Sequence, residues 1–334
     1  MIELHLAILP IVLPLIAAPI CFILGRSQWC WLFATLISGL SCAASVGLLV
    51  ATLDQGVVSY AVGGWQAPWG IEIRIDVASA LILSLVSGIS TLVLIYANQS
   101  IAKEIDTSKH ALFYTAHLLC LTGLSGILST GDAFNLFVFL EISSLATYTL
   151  VSLARDKRCL IAAFRYLIMG TIGATFILIG VGMLYMKTGT LNMLDLADKI
   201  AVIEGNRTLN TGLAFILIGV SIKLALFPLH MWLPPAYTHA PSAVSAFLAS
   251  TATKVAVYVM VRFIFSIFGA QYVFETMSMD IILLVLAIIA IFKCSFMAAL
   301  QSNMKSMLAY SSVAQIGYMI LGISLATSAG LMAG

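Results

Sequence analysis

One carboxylate and three ammonium groups stand where apolar sequence should exclude them. Glu141 lies near the middle of the stretch "NLFVFLEISSLATYTLV", and Lys223, Lys254 and Lys293 fall well inside three other apolar runs. A charge at the centre of a membrane-spanning helix costs about 2.5–3.5 kcal/mol on insertion scales, so each needs a partner or a task. Thirteen of the fourteen acids fall in loops or near run ends, so a single buried acid faces several buried lysines and cannot neutralise them all. At least one lysine must be neutral part of the time. Burial moves an ammonium group by up to about 3–5 pKa units towards neutrality. A carboxylate about 7 Å away, at an effective dielectric of ~20, returns about 2.4 kcal/mol, nearly two such units. Moving or protonating the acid then loads or unloads a lysine, which is the chemistry of a proton relay. A static ion pair fixing two helices is the plainer alternative, and the charge count argues against it.

The neighbours of these charges are polar at helical spacing. Ser144 and Tyr148 follow Glu141 by three and seven residues, and Ser250, Thr251 and Tyr258 flank Lys254 at four before, three before and four after. Arg165 sits close enough to a run end to snorkel. Pro228 follows Lys223 by five residues and removes the amide that would bond the Leu224 carbonyl, which predicts a helix break. Broken helices at membrane depth occur where they are buried in protein or line a watery cavity. His230 would share the Lys223 face if the helix continued.

These residues need membrane helices to hold them. Of 334 residues, 61% are hydrophobic and 9% charged, against about 25% charged in a soluble domain. About ten runs are long enough to span: 4–24, 31–53, 77–98, 110–130, 133–153, 160–186, 211–229, 241–265, 279–300 and 307–327. The fold class expected is all-α, a polytopic membrane bundle with a discontinuous seventh helix. The net charge of +2 is spread over loops, which gives no surface for nucleic acid. With the N-terminus outside, the inner loops hold Arg26, Lys103, Lys109, Arg155, Lys157, Arg158 and Lys305, against Arg74, Lys187, Lys199, Arg207 and Arg262 outside. "MIELHL" lacks a basic stretch, so the first run is expected to be retained rather than cleaved.

Six scattered cysteines without a C-x-x-C argue against an iron–sulfur or zinc site. "GTIGA" (170–174) lies inside an apolar run and is expected to let helices approach closely rather than hold a nucleotide. No cofactor is expected in this chain. The segment "GGWQAPWGIEIRID" (63–76) has the alternation of a short hairpin, with two Trp suited to the membrane interface. The segment "NMLDLADKIAVIEG" (192–205) predicts a surface helix apolar on one face.

The stretches "GDAFNLFVFLEISSLATYTLV", "KLALFPLHMWLPPAYTHAPSAVSAFLASTATK" and "LQSNMKSMLAYSSVAQIGYMILG" strongly resemble the antiporter-like membrane subunits shared by Mrp-type cation/proton antiporters, NADH:quinone oxidoreductases and membrane-bound hydrogenases. "VGGWQAPWGIEIRID" and "KSMLAYSSVAQIGY" look closest to the D-type subunit of Mrp antiporters. The resemblance implies a central hydrophilic axis carried by Glu141, Lys223 and Lys254, with Lys305 at a further recurrent lysine. Gln315 stands where some members have a histidine. Lys293 matches no family role, and packing or snorkelling suits it as well.

The same resemblance divides the chain into an N-terminal three-helix block with hairpin (1–109), a first five-helix repeat or half-channel (110–266) and the start of a second repeat (267–334). Family members usually carry about fourteen spans. Against that pattern the chain is expected to be C-terminally truncated, as a fragment, a split gene product or an altered protein. Three functions stand side by side: a proton-translocating subunit of a multisubunit antiporter exchanging protons for Na+ or K+, a proton-pumping membrane subunit of an NADH:quinone oxidoreductase or hydrogenase, and a non-conducting scaffold. The partners implied are other membrane subunits and the lipid bilayer. The location implied is a bacterial-type inner membrane.

Overall fold

The computed structural model describes residues 5–25, 27–203 and 206–333. Helices α1 (Leu9–Leu24), α2 (Ser27–Gln55), α3 (Val77–Glu104), α4 (His110–Ser129), α5 (Ala133–Ser152) and α6 (Arg158–Thr188) come first. They are followed by α7 (Met193–Val202), α8 (Arg207–Leu224), α9 (Leu233–His239), α10 (Ser242–Ser250), α11 (Ala252–Val261), α12 (Met279–Ala299), α13 (Met304–Ser324) and α14 (Ser328–Ala333). Among the described residues, nine helices are long and apolar enough to cross a membrane, one of them formed by α10 and α11 with the turn after them. The first run instead yields α1, a 16-residue helix that contains Pro14 and Pro19. The chain is a polytopic helical membrane bundle.

Two compact units emerge. The first holds the described chain up to Leu167 together with His239–Thr251. In it α1 packs on α2 and α4, α2 on α3, α4 on α5, and α10 on α3 and α5. Proline at 14 cannot donate to the carbonyl of Pro10, and Ser41 of α2 supplies the missing hydrogen at 3.2 Å. A proline-bearing helix is thereby satisfied by its neighbour, as lipid requires.

The sheet of this unit is one antiparallel pair, β1 (Val58–Ala61) and β2 (Glu72–Ile75), in register Val58 to Ile75 and Ala61 to Glu72. The expected hairpin therefore exists, but its first strand begins before residue 63. Gly63–Gly70 is connection, and it presents Trp65 and Trp69 at 72% and 90% exposure. Asp76 and Ser79 form a reciprocal cap that starts α3.

The second unit holds Ile168–Thr238 and the described chain from Ala252 onward. In it α8 packs on α11, and α12 on α13. The close approach expected of "GTIGA" is real: a Cβ on Gly219 of α8 would lie 2.5 Å from the Gly173 carbonyl of α6. One on Gly180 would lie 2.6 Å from that of Gly212. The pairs sit seven residues apart on both helices, so two turns of backbone touch. The surface helix expected near 192–205 is α7, capped by the Asn192 side chain, with Leu196 and Ile200 buried beneath it. Residues 204 and 205 lie outside the described residues. After α11 the chain widens into π turns, with Phe268 N–H donating to the Phe263 carbonyl at 3.1 Å.

Candidate functional site

Glu141 rides on a helix fixed at its start and along its side. The Asp132 carboxylate caps α5 by accepting from Asn135 N–H at 2.7 Å, and burial pushes that carboxyl upward against the amide bonds that lower it. The hairpin clips the same corner: Gly131 N–H donates to the Glu72 carbonyl at 2.8 Å, and Ile73 bridges Thr130. Along the side, Gly123 of α4 leaves only 2.5 Å between a notional Cβ and Ser143 N, so no larger residue fits against α5. Nine residues below the cap, about 13 Å along the axis, Glu141 stands near the middle of α5, half-buried, with Ser144 and Tyr148 buried on its face. Tyr148 stacks edge-on against Tyr166 of α6 at 4.7 Å.

Lys223 stands one residue before the end of α8. Ala225 adopts the left-handed conformation at φ 61°, its N–H donating to the Ile222 carbonyl at 3.2 Å and Leu226 N–H to the Ser221 carbonyl at 2.9 Å. That pair of bonds is a Schellman stop, built here without glycine. The helix thus ends four residues before Pro228, so the interruption expected in the seventh helix is present and begins ahead of the proline. His230 consequently does not continue the Lys223 face. It lies in a run of turns between Leu226 and Trp232, buried, with its ring 5.3 Å from that of Phe227.

Lys254 sits in the first turn of α11, half-buried, and α11 packs on the Lys223 helix. The stripe expected around it is cut. Thr251 leaves helical geometry at φ −121°, and its hydroxyl turns back to the Phe247 carbonyl at 2.6 Å, as Ser250 does to Ala246. Only Tyr258 shares a continuous helix with Lys254. Tyr258 in turn accepts from Arg262 Nε at 2.7 Å.

Lys293 is exposed on α12, and its ammonium lies 4.8 Å from the centre of the Phe227 ring. It therefore adjoins the interruption after Lys223 through the ring that stacks on His230. Lys305 is half-buried in the first turn of α13, whose cap Asn303 accepts from the Lys305 N–H at 2.9 Å; Gln315 is exposed further along. Beyond the helix ends, Asp156 is held below the usual carboxylate range by the Arg158 amide and guanidinium, and Asp195 by Lys199.

The family description "NADH:quinone oxidoreductase/Mrp antiporter, TM" matches residues 130–334, which contain every one of these charges. The chain belongs to this family. It is 40% identical over 329 residues to the N subunit of the NADH-quinone oxidoreductase of Desulforudis audaxviator, covering 96% of this chain and 64% of that protein. It is 32% identical over 327 residues to the D subunit of the Na(+)/H(+) antiporter of Alkalihalophilus pseudofirmus, covering 97% and 64%. Among solved structures it is similar to a chain of the membrane-bound sulfane sulfur reductase, an archaeal respiratory membrane complex, with TM-score 0.86, 30% identity and coverage of 96% and 65%. A chain of the Mrp complex from Dietzia sp. gives TM-score 0.86 at 27% identity, covering 97% and 59%. The chain thus spans about two thirds of the length of the curated antiporter-family relatives it matches, 64% in both cases.

Three features of this antiporter-family site escape the sequence. The stop at Ala225 has no glycine to signal it. Trp232, whose indole donates to the Ile222 carbonyl at 2.9 Å, reads as one more apolar residue. His117, buried within α4 and outside the relay groups, belongs to no motif.

Proposed function

We propose that the chain is a proton-translocating subunit of a multisubunit cation/proton antiporter, of the Mrp D type, with Glu141, Lys223, Lys254 and His230 as relay groups. The observation that carries this reading is the interruption directly after Lys223. A helix that stops one residue past a lysine, followed by turns holding a buried imidazole, places two proton-binding groups beside irregular backbone, which membranes tolerate only in protein or around water. Residues 110–266 act as the half-channel in this reading, and the exchanged ion is Na+ or K+. A second reading, a proton-pumping membrane subunit of an NADH:quinone oxidoreductase in a bacterial inner membrane, is favoured by the 40% identity to an N subunit of such a complex.

Proton flux in sealed vesicles bearing the assembled complex tests both. Glu141→Gln keeps shape and cannot ionise, so it should remove most proton-coupled transport without loss of assembly. Near-normal flux in that variant would end the relay reading. Subunits that co-purify with the chain separate the two complexes: small membrane subunits alone favour the antiporter, and flavin or iron–sulfur subunits favour the redox complex.

A further inference from the structure

A row of hydrogen-bonded side chains crosses the first unit through helices that carry none of the relay groups. Ser38 Oγ on α2 donates to Ser90 Oγ on α3 at 3.0 Å, and lies 3.0 Å from Thr91 Oγ1 as well. Ser90 Oγ in turn is 2.9 Å from Nε2 of His117 on α4. Both serines are fully buried and the histidine is 1% exposed. Thr91 gives its own hydrogen to the Ser87 carbonyl at 2.9 Å, which leaves its oxygen as an acceptor for Ser38. The far side of the row is the imidazole, lying 4.3 Å from the Phe247 ring of α10 between centroids. Its Nδ1 is buried and makes no hydrogen bond.

This arrangement is not what lone hydroxyls do in apolar helices. Ser87, Thr122 and Ser129 each bond the carbonyl four residues back in their own helix. Ser38 and Ser90 instead reach sideways, so that three helices are joined through polar atoms. An apolar side chain in place of His117 would fill the volume without burying a ring nitrogen that lacks a partner, so packing alone does not explain an imidazole there. Nor does a metal cation. The row offers three hydroxyl oxygens and no carboxylate, and among the described residues no group of three His, Cys, Asp or Glu stands ready to hold an ion that needs several oxygen ligands.

We propose that Thr91, Ser38, Ser90 and His117 form a second, lateral proton wire, with His117 as carrier and its Nδ1 as a port completed by one buried water molecule. Ser38 donates to Ser90, and with His117 in its Nδ1–H tautomer the steps run in the same direction. Ser38 passes its hydrogen to Ser90, Ser90 passes its own to Nε2, and Nδ1 releases its proton to the water. A proton taken from a water molecule at half-buried Thr91 enters there, the Thr91 hydrogen turns from the Ser87 carbonyl to Ser38 as Ser38 gives up its own, and one proton leaves at Nδ1. No group retains a charge, and the imidazole ends as the other tautomer. The row resets when the hydroxyls turn, and Ser38, with two acceptors at equal distance, is the one that can swing.

The purpose of the wire rests on the proton-transport reading above, whereas its chemistry can be tested apart from transport. In vesicles bearing the assembled complex, Ser90→Ala should lower proton flux about a hundred-fold, the lower end of what a positioned proton-transfer group contributes, whereas Ser90→Thr keeps most of it. Nitrogen NMR of the full chain labelled in histidine should show Nε2 of His117 as an acceptor, losing that bond in Ser90→Ala, and Nδ1–H exchanging with deuterated solvent. Unchanged flux in Ser90→Ala and His117→Phe, where Glu141→Gln blocks it, would overturn the wire and leave the relay standing. If Glu141→Gln fails to block flux, or Ser90→Ala fails to assemble, the exchange measurement decides: an Nδ1–H protected from solvent overturns the wire.

Discussion

The indole of Trp232 donates to the carbonyl of Ile222 at 2.9 Å, across the interruption that follows Lys223. That carbonyl would ordinarily bond the amide of Leu226, which the Schellman stop diverts to Ser221. The tryptophan thus bonds the turn of helix that carries Lys223 from the far side of the break. Trp232→Phe keeps an aromatic ring, smaller than the indole, and removes the donor. It should cost about 1 kcal/mol of stability and lower transport more than expression, since the end of α8 loses a bond that helps hold its last turn. Transport and thermal stability both at parental levels would show that the bond positions nothing.

Lysine and arginine should not be interchangeable at positions 223 and 254. A relay needs a group that can lose its proton, and arginine stays charged in proteins. Lys223→Arg and Lys254→Arg should therefore impair proton transport nearly as much as Lys→Ala at the same site. Full activity in both arginine variants would mean that fixed positive charge is enough.

The Lys223 helix is set by its glycines. Gly219→Ala places a methyl group 2.5 Å from the Gly173 carbonyl, where the backbone must move, at a cost of about 1–3 kcal/mol and several degrees of melting temperature in detergent. Gly182→Ala meets nothing within 4 Å and should be neutral or slightly stabilising. Equal melting temperatures for the two variants would contradict the close approach of α6 and α8.

The spans are legible in the sequence because lipid forces each backbone group to bond within its own helix, so an apolar run of sufficient length has one outcome. The amphipathic α7 and the glycine contact of "GTIGA" are legible for similar local reasons. A break in the seventh helix is legible from Pro228, but the place where each interruption begins is not. Alanine at 225 carries no sign of a left-handed turn, and Pro228 marks a point the helix never reaches. The Thr251 break is hidden because Ser250, Thr251 and Lys254 have helical spacing in a sequence that does not stay helical. The exposure of Lys293 is hidden too, because a run apolar on every side gives no face to read. The row that ends at His117 depends on three helices meeting, and spacing within one helix cannot report it.

The last expectation concerns the turns between Leu226 and Trp232. Leu229 is half-buried and His230 buried, yet the backbone there is irregular and Phe227 joins His230 to the Lys293 ammonium. If these turns border water within the bundle, Leu229→Cys and His230→Cys, in a background with the six native cysteines replaced, should react with a small water-soluble thiol reagent. Bulky reagents should react slowly. Protection at both positions, with labelling beginning only near Pro234, would make the segment a packed helix end. Pro228→Ala separates the two causes of the break. Because α8 already stops at Ala225 with its Ser221 and Ile222 carbonyls bonded, restoring the amide at 228 should leave labelling at Leu229 nearly unchanged. Loss of that labelling would return the break to the proline and reduce the Schellman stop to a consequence of it.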